Sequence, residues 1–328
     1  MHNQKISDIG EIELINKLQN FMPNEQTNDD TAELFIEKKK ILINTDILVE
    51  NIHFSNQTTS PFDIGWKSIS TNFSDLAASG VKDIIGITIG LGLPENTYLS
   101  WVENVYSGIQ AALKKYGGVI LGGDCSRSSE KFLSITAIGT LSKLRLHRSN
   151  AKHGDWIIAT GNHGLSRLGL AVLLADKATK NIQLSNSLIE TAVRSHRRPK
   201  APLRALKLLR SCKPSDMPWR AAGTDSSDGL FQALKNICVS SKCMAVINEN
   251  NLPVHSDWPK GLPWNDWCLF GGEDYELILS LPEKWAKKFL KEYPSSRAIG
   301  TIKKGPSQVF WTNGEEISNK KIQEFQHF

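Results

Sequence analysis

The sequence predicts an α/β (α+β) chain of two mixed domains, and three observations carry that prediction. At 328 residues it is longer than one compact core normally spans. Strand-like and helix-like apolar segments alternate along its length. A polar stretch without strong pattern, 149–153, is the best linker candidate. The division gives an N-terminal domain over 1–148 and a C-terminal domain over 149–328.

The elements follow in order. Apolar residues at helical spacing predict a helix over 9–18, opened by Ser7 and Asp8 as caps. Residues 34–37 and 41–45 read as strands joined by a lysine turn. Ser60 and Pro61 start a helix that Gly80 stops. On it Asn72 and Asp75 share a face, three residues apart, so that face must look at something polar. A strand over 84–91, a helix over 94–115, a strand over 119–121 and another over 132–141 complete the first half. The second half begins with a strand at 156–160, a helix from Gly164 through Ala175, and helices near 184–194 and 202–209. Residues 221–224 lead into a helix through Val239, followed by a strand over 275–280 and a helix over 283–291.

Composition narrows the classes. Apolar content of 40% and charged content of 22% describe a globular protein, and a net charge of +5 gives no nucleic-acid signature. Five cysteines without a C-x-x-C pair fit reduced thiols in a cytoplasmic protein. The longest nearly apolar stretch, 84–93, is too short to span a membrane. No Walker A loop, no G-x-G-x-x-G opening a helix, no G-x-S-x-G and no H-E-x-x-H occurs.

Chemistry concentrates instead in six acidic clusters: Asn28-Asp29-Asp30, Thr45-Asp46, Ser74-Asp75, Gly123-Asp124, Asp225-Ser226-Ser227-Asp228 and Gly271-Gly272-Glu273-Asp274. Each borders an apolar segment, and carboxylates at element ends can converge. Convergent carboxylates need divalent cations to offset their repulsion, and hard oxygen ligands favour Mg²⁺. Magnesium at that density points to a polyphosphate substrate and phosphoryl transfer. Taken singly, each cluster is also explained as a polar helix face or a run of cap residues. His53 is open between general base, ligand and ordinary loop histidine. Cys125 reads as structural, since no cationic neighbour in sequence would activate it.

Taken in order, with their flanks, the clusters resemble the thiamine-monophosphate kinases. Asn28-Asp29-Asp30-Thr31-Ala32 is similar to that family's G-D-D-x-A, and residues 45–54 to T-D-x-L-V-E-G-x-H-F. Residues 72–80 resemble N-L-S-D-L-A-A-M-G, 122–127 resemble G-G-D-T-T-R, and 225–230 resemble D-I-S-D-G-L. Gly271-Gly272-Glu273-Asp274-Tyr275-Glu276-Leu277 is identical to the family segment. The likeness covers nearly the whole chain.

The resemblance implies the two-domain fold shared with aminoimidazole ribonucleotide synthetase and a homodimer built through the N-terminal domains. It implies that ATP phosphorylates thiamine monophosphate to thiamine diphosphate by direct in-line transfer, with several Mg²⁺ ions. It assigns Asp30, Thr45, Asp46, Asp75, Asp124, Asp225 and Asp228 to metal. Gly123, Asp124, Arg148, Ser227 and Tyr106 fall to ATP, and His53, Glu273 and Phe325 to the thiamine side, with no catalytic side chain beyond the metal ligands. A selenophosphate synthetase of the same fold would be expected to carry a reactive cysteine near its start, whereas the first cysteine is Cys125. Asn28 and Asn51 replace family glycines. Asn is the non-glycine residue most tolerant of left-handed backbone, so both positions are expected at positive φ. Arg167 stands where the family commonly has a small residue.

Overall fold

The computed structural model describes the backbone of residues 32–36 and, in full, residues 39–180 and 182–318. The helix expected at 9–18, together with Asn28, Asp30 and Phe325, lies outside the described residues.

Strands β1 (Ala32–Ile36) and β2 (Lys39–Val49) pair antiparallel, with Ile36 opposite Lys39. Helix α1 (Pro61–Ala78), β3 (Val81–Leu93), α2 (Leu99–Tyr116), β4 (Val119–Arg127) and β5 (Phe132–Leu141) follow. The five strands form one sheet in the order β1-β2-β5-β3-β4, antiparallel except for the β3–β4 pair. Strand β5 alternates buried and half-buried residues from end to end, so the sheet has one face toward the helices and one away.

Helix α1 starts where the sequence places it. The Ser60 hydroxyl accepts from the Asp63 N–H at 3.3 Å and donates to the Asp63 carboxylate at 2.8 Å. Its apolar side buries Ile64, Ile69, Phe73 and Leu76 completely, each stabilising the fold by about 1.5–3 kcal/mol. Helix α2 lies unusually close to it. A Cβ on Gly65 would stand 1.9 Å from the Val105 carbonyl oxygen, and one on Gly108 would stand 1.9 Å from that of Phe62.

The second half carries β6 (Trp156–Ala159), α3 (Leu165–Leu173), the single turn α4 (Lys177–Lys180), α5 (Asn186–Arg197), α6 (Leu203–Ser211), β7 (Ala222–Asp225) and α7 (Leu230–Ser241). Then come β8 (Met244–Ile247), α8 (Trp264–Phe270), β9 (Leu277–Leu281), α9 (Glu283–Glu292), β10 (Arg297–Lys303) and β11 (Val309–Trp311). The sheet order is β11-β8-β10-β6-β9-β7. Strand β9 is buried on both faces. Leu277, Leu279 and Leu281 enter a core continuous with the first half, while Ile278 enters a second core beneath α7.

Several expected boundaries move. Asp46 lies inside β2, which continues to Val49, and Asp124 lies inside β4, which stays hydrogen-bonded to β3 as far as Arg127. Neither carboxylate is at a strand end, because backbone pairing continues past Asp46 to Val49 and, in β4, through the glycines beside Asp124 that suggested a stop. Tyr275 precedes β9, held at φ +52° by the loop that delivers residues 273–275. The short elements β8, α8, β10 and β11 carry too few residues to show a period and were not expected.

Candidate active site between the two sheets

One face of α1 meets the second half through three side chains, each a turn or so apart. The Ser74 hydroxyl donates to Asp225 Oδ2 at 2.6 Å. Thr71 Oγ1 stands 3.4 Å from the Tyr275 hydroxyl. Lys67, fully buried, places Nζ 2.7 Å from Glu273 Oε1. Beside them, Asn44 of β2 donates to Asn72 Oδ1 at 3.2 Å and to Asp75 Oδ2 at 2.9 Å. The shared polar face of Asn72 and Asp75 therefore looks at a buried amide, as its spacing required.

Acidic groups gather at this seam. Asp46 is pushed up to about 7, first by burial and then by the charges of Asp225 and Asp228. Its Oδ2 is buried and has no hydrogen-bond partner among the described residues. Burial also raises the Asp225 carboxyl, against the hydrogen bond from Ser74, the charge of Arg148 and the hydrogen bond from Ser227. Ser227 Oγ donates to Asp225 Oδ1 at 3.3 Å, and Arg148 Nε donates to Thr224 Oγ1 at 3.1 Å. Asp228 is exposed beside them. Among the described residues, no three His, Cys, Asp or Glu side chains stand close enough to hold one ion by themselves.

The remaining candidates lie to either side. On the first sheet Asp46 is opposite Ile135, Ile135 opposite Ile89, and Ile89 opposite Gly123. Three strand spacings of about 4.8 Å put Gly123 and Asp124 roughly 14 Å from Asp46 along the sheet. No single ion joins Asp46 to Asp124. Gly123 fits because a Cβ there would meet the Ile89 carbonyl oxygen at 2.1 Å. Tyr106 of α2 lies near Cys125 of the same strand. Thr45 is opposite Thr136 and its hydroxyl is 2.7 Å from that of Thr136, on the face away from Asp46. The Thr45 hydroxyl is therefore not brought to the carboxylates, because strand side chains alternate between faces.

On the other side, Glu273 is the centre of a mixed cluster. Burial would raise its carboxyl, but Lys67, then His196, and finally His53 hold it down. Its Oε2 is 3.5 Å from Ser166 Oγ and 3.6 Å from His196 Nδ1. The Val49 N–H donates to His53 Nδ1 at 3.1 Å, which leaves the neutral ring's proton on Nε2. Asn51, in the turn before it, has φ +66° as expected for an Asn in a glycine's place.

Sequence reasoning missed Lys67, Thr71, Asn44 and His196. The signal for the first two was present, since positions 67, 71 and 74 recur at helical spacing on a helix whose polar face was already recognised. Asp274, beside Glu273, does a different job. Its Oδ2 accepts from the Gly164 N–H at 2.6 Å and its Oδ1 from the Ser166 N–H at 2.9 Å, capping α3. His163 is wholly buried, with Nε2 2.9 Å from Ser226 Oγ, and burial lowers it to about 4. The Ser226 hydroxyl accepts in turn from the Glu276 N–H at 3.1 Å, which ties the two motif loops together. Arg167 lies over the Trp267 ring at 4.4 Å and pairs with Asp176 at 3.4 Å. Its departure from the family pattern is thus absorbed at the α3–α8 contact.

Two mixed sheets with an acidic seam between them define the class. Residues 28–141 match the family model described as AIR synthase related protein, N-terminal domain, and residues 152–312 match its C-terminal domain. The thiamine-monophosphate kinase of Prochlorococcus marinus is 54% identical over 323 residues, which cover 98% of this chain and 97% of that protein. That of Synechococcus elongatus is 40% identical over 332 residues, 100% and 99% of the two chains. A solved structure described as AaThiL complexed with AMPPCP and TMP has a TM-score of 0.85 at 27% identity and covers 100% of both chains. This chain belongs to the thiamine-monophosphate kinase family.

Proposed function

We propose that this protein transfers the terminal phosphoryl group of ATP to thiamine monophosphate, giving ADP and thiamine diphosphate by direct in-line attack. The observation that carries the mechanism is the seam where Asp46 of the first sheet meets Asp225 at the end of β7 and Asp228 in the turn after it. The acceptor is already a phosphate, whose oxygen needs little activation. The chemistry therefore reduces to holding two anionic groups together and balancing their charge.

The donor set fits Mg²⁺. Asp46 Oδ2 is buried without a partner among the described residues, and its carboxyl is raised by burial and two like charges. A hard divalent cation relieves both conditions. Asp46, Asp75, Asp225 and Asp228 would share more than one ion with the substrate phosphates, no three of them on the same ion, Asp30 and Asp124 would serve further ions, and Thr45 could serve only through its main chain. When bound, the metal offsets the negative charge that develops between the two phosphates.

The chain's own groups orient the substrates. Arg148 donates to Thr224 and stands beside Asp225, on the nucleotide side of the seam. Ser227, the bare backbone at Gly123, and Tyr106 extend the nucleotide side. His53, Glu273 and Phe325 form the thiamine side. We take the domain boundary at residue 148 and the reaction compartment as the cytoplasm. No described helix is long and apolar enough to cross a membrane. A homodimer through the first sheet is supported by edge strand β4, whose Val119 and Leu121 are 58% and 50% exposed.

The test is to incubate the purified protein with ATP, Mg²⁺ and thiamine monophosphate and follow thiamine diphosphate by chromatography. Product that needs all three supports the reading, and no product with all three present ends it.

A further inference from the structure

We infer that Lys67 is a positioning residue that fixes the substrate-side carboxylate of Glu273 at a set distance from the phosphoryl-transfer seam. The inference rests on the reaction proposed above and assigns a role to a residue outside the family motifs discussed so far.

Four facts support it. The Glu273 side chain is 30% exposed and so open to a ligand, and among the described residues its one close ionic contact is the ammonium of Lys67 at 2.7 Å. The contacts to Ser166 and His196 are long, at 3.5 and 3.6 Å. The Lys67 side chain is completely buried, so its stem cannot swing and the charge it presents is stationary. The backbone beneath Glu273 is also pinned, at φ +67° with its N–H donating to the Ser227 carbonyl at 2.7 Å.

Lys67 also belongs to a helix face that holds the second half at three points. Positions 67, 71 and 74 hold Glu273, Tyr275 and Asp225 in turn. Seven residues of helix span about 10.5 Å. Helix α1 is therefore a ruler between a carboxylate facing the thiamine side and a carboxylate at the metal side. Removing Lys67 leaves Ser74 and Asp225 in place but lets Glu273 rotate. It should weaken recognition of the acceptor more than that of the nucleotide.

The experiment compares steady-state kinetics of the wild type, Lys67→Met, Glu273→Gln and the double variant, after the wild type has been shown to form thiamine diphosphate. A wild type that forms none defeats the proposed reaction and not this inference. With an active wild type, Lys67→Met should raise KM for thiamine monophosphate about tenfold or more, and KM for ATP less than about twofold. Lys67→Arg should recover part of the loss, since it restores the charge with a different fork. Lys67→Met leaves Glu273 unpaired and could prevent folding. The double variant carries no unpaired charge, and its KM for thiamine monophosphate should equal that of Glu273→Gln alone. A double variant clearly worse than Glu273→Gln would overturn the inference, because Lys67 would then act otherwise than through Glu273. So would a Glu273→Gln variant with wild-type KM, or an equal loss toward both substrates in Lys67→Met.

Discussion

At Asp46 charge and stability are directly linked. Its carboxyl is lifted from 3.8 to about 7, so in metal-free protein the native state keeps a proton that the unfolded chain releases. Between those values the native state binds more protons, and this group's contribution to stability falls as pH rises. Asp46→Asn removes that penalty. The melting temperature of Asp46→Asn relative to wild type should rise by about 2–4 °C between pH 4 and pH 7.5, and Mg²⁺ should shrink the gap. A difference independent of pH would remove the argument. The variant should also lose nearly all activity. The sequence made Asp46 legible through its motif, and Asn51 through the backbone its neighbours demand. It did not reveal that Thr45 and Asp46 face opposite sides of the sheet. That depends on the register of β2 against β5, and a one-residue shift would exchange the two faces. His196 was equally hidden, since only tertiary packing brings it from α5 to Glu273.

At the scale of elements, two neighbouring carboxylates divide the labour of one motif. Glu273 turns toward α1, while Asp274 turns back and caps α3 through two backbone N–H groups. Asp274→Ala leaves both donors without an acceptor in a buried place. It should cost about 1–2 kcal/mol in chemical denaturation, with KM for ATP little changed. Unchanged stability would mean that the cap contributes nothing. Long elements with clear periods, such as α1, α2 and β5, were readable in advance within a few residues. The short strands β8, β10 and β11 were not, because they are stabilised by neighbours far away in sequence. Acidic clusters misled in one respect. Glycine beside a carboxylate suggested a strand end, whereas in β4 it permits close approach to β3 with the ladder intact.

For the whole molecule, the long strand β4, an edge among the described strands, presents Val119, Ile120 and Leu121 to solvent. Val119→Lys places a charge at the end of the strand farther from Asp124. Light scattering should show wild type as a dimer and this variant shifted toward monomer. A monomeric wild type would refute the proposed assembly. The division into two mixed halves was visible from the alternation of elements, but the depth of their contact was not. Nothing in β9's short apolar run says which of its faces meets the other half.

That two-faced strand has a consequence for how the chain comes apart. Leu277, Leu279 and Leu281 share a core with Phe73 and Leu76 of α1, while Ile278 of the same strand packs beneath α7. Pulling the halves apart would strip one side of a central strand and leave three leucines in water, so neither half has a cheap route to existing alone. Heat or denaturant should therefore melt both in one cooperative step. A ribosome that has released only the first half holds an unfinished core, which closes once residues 277–281 emerge.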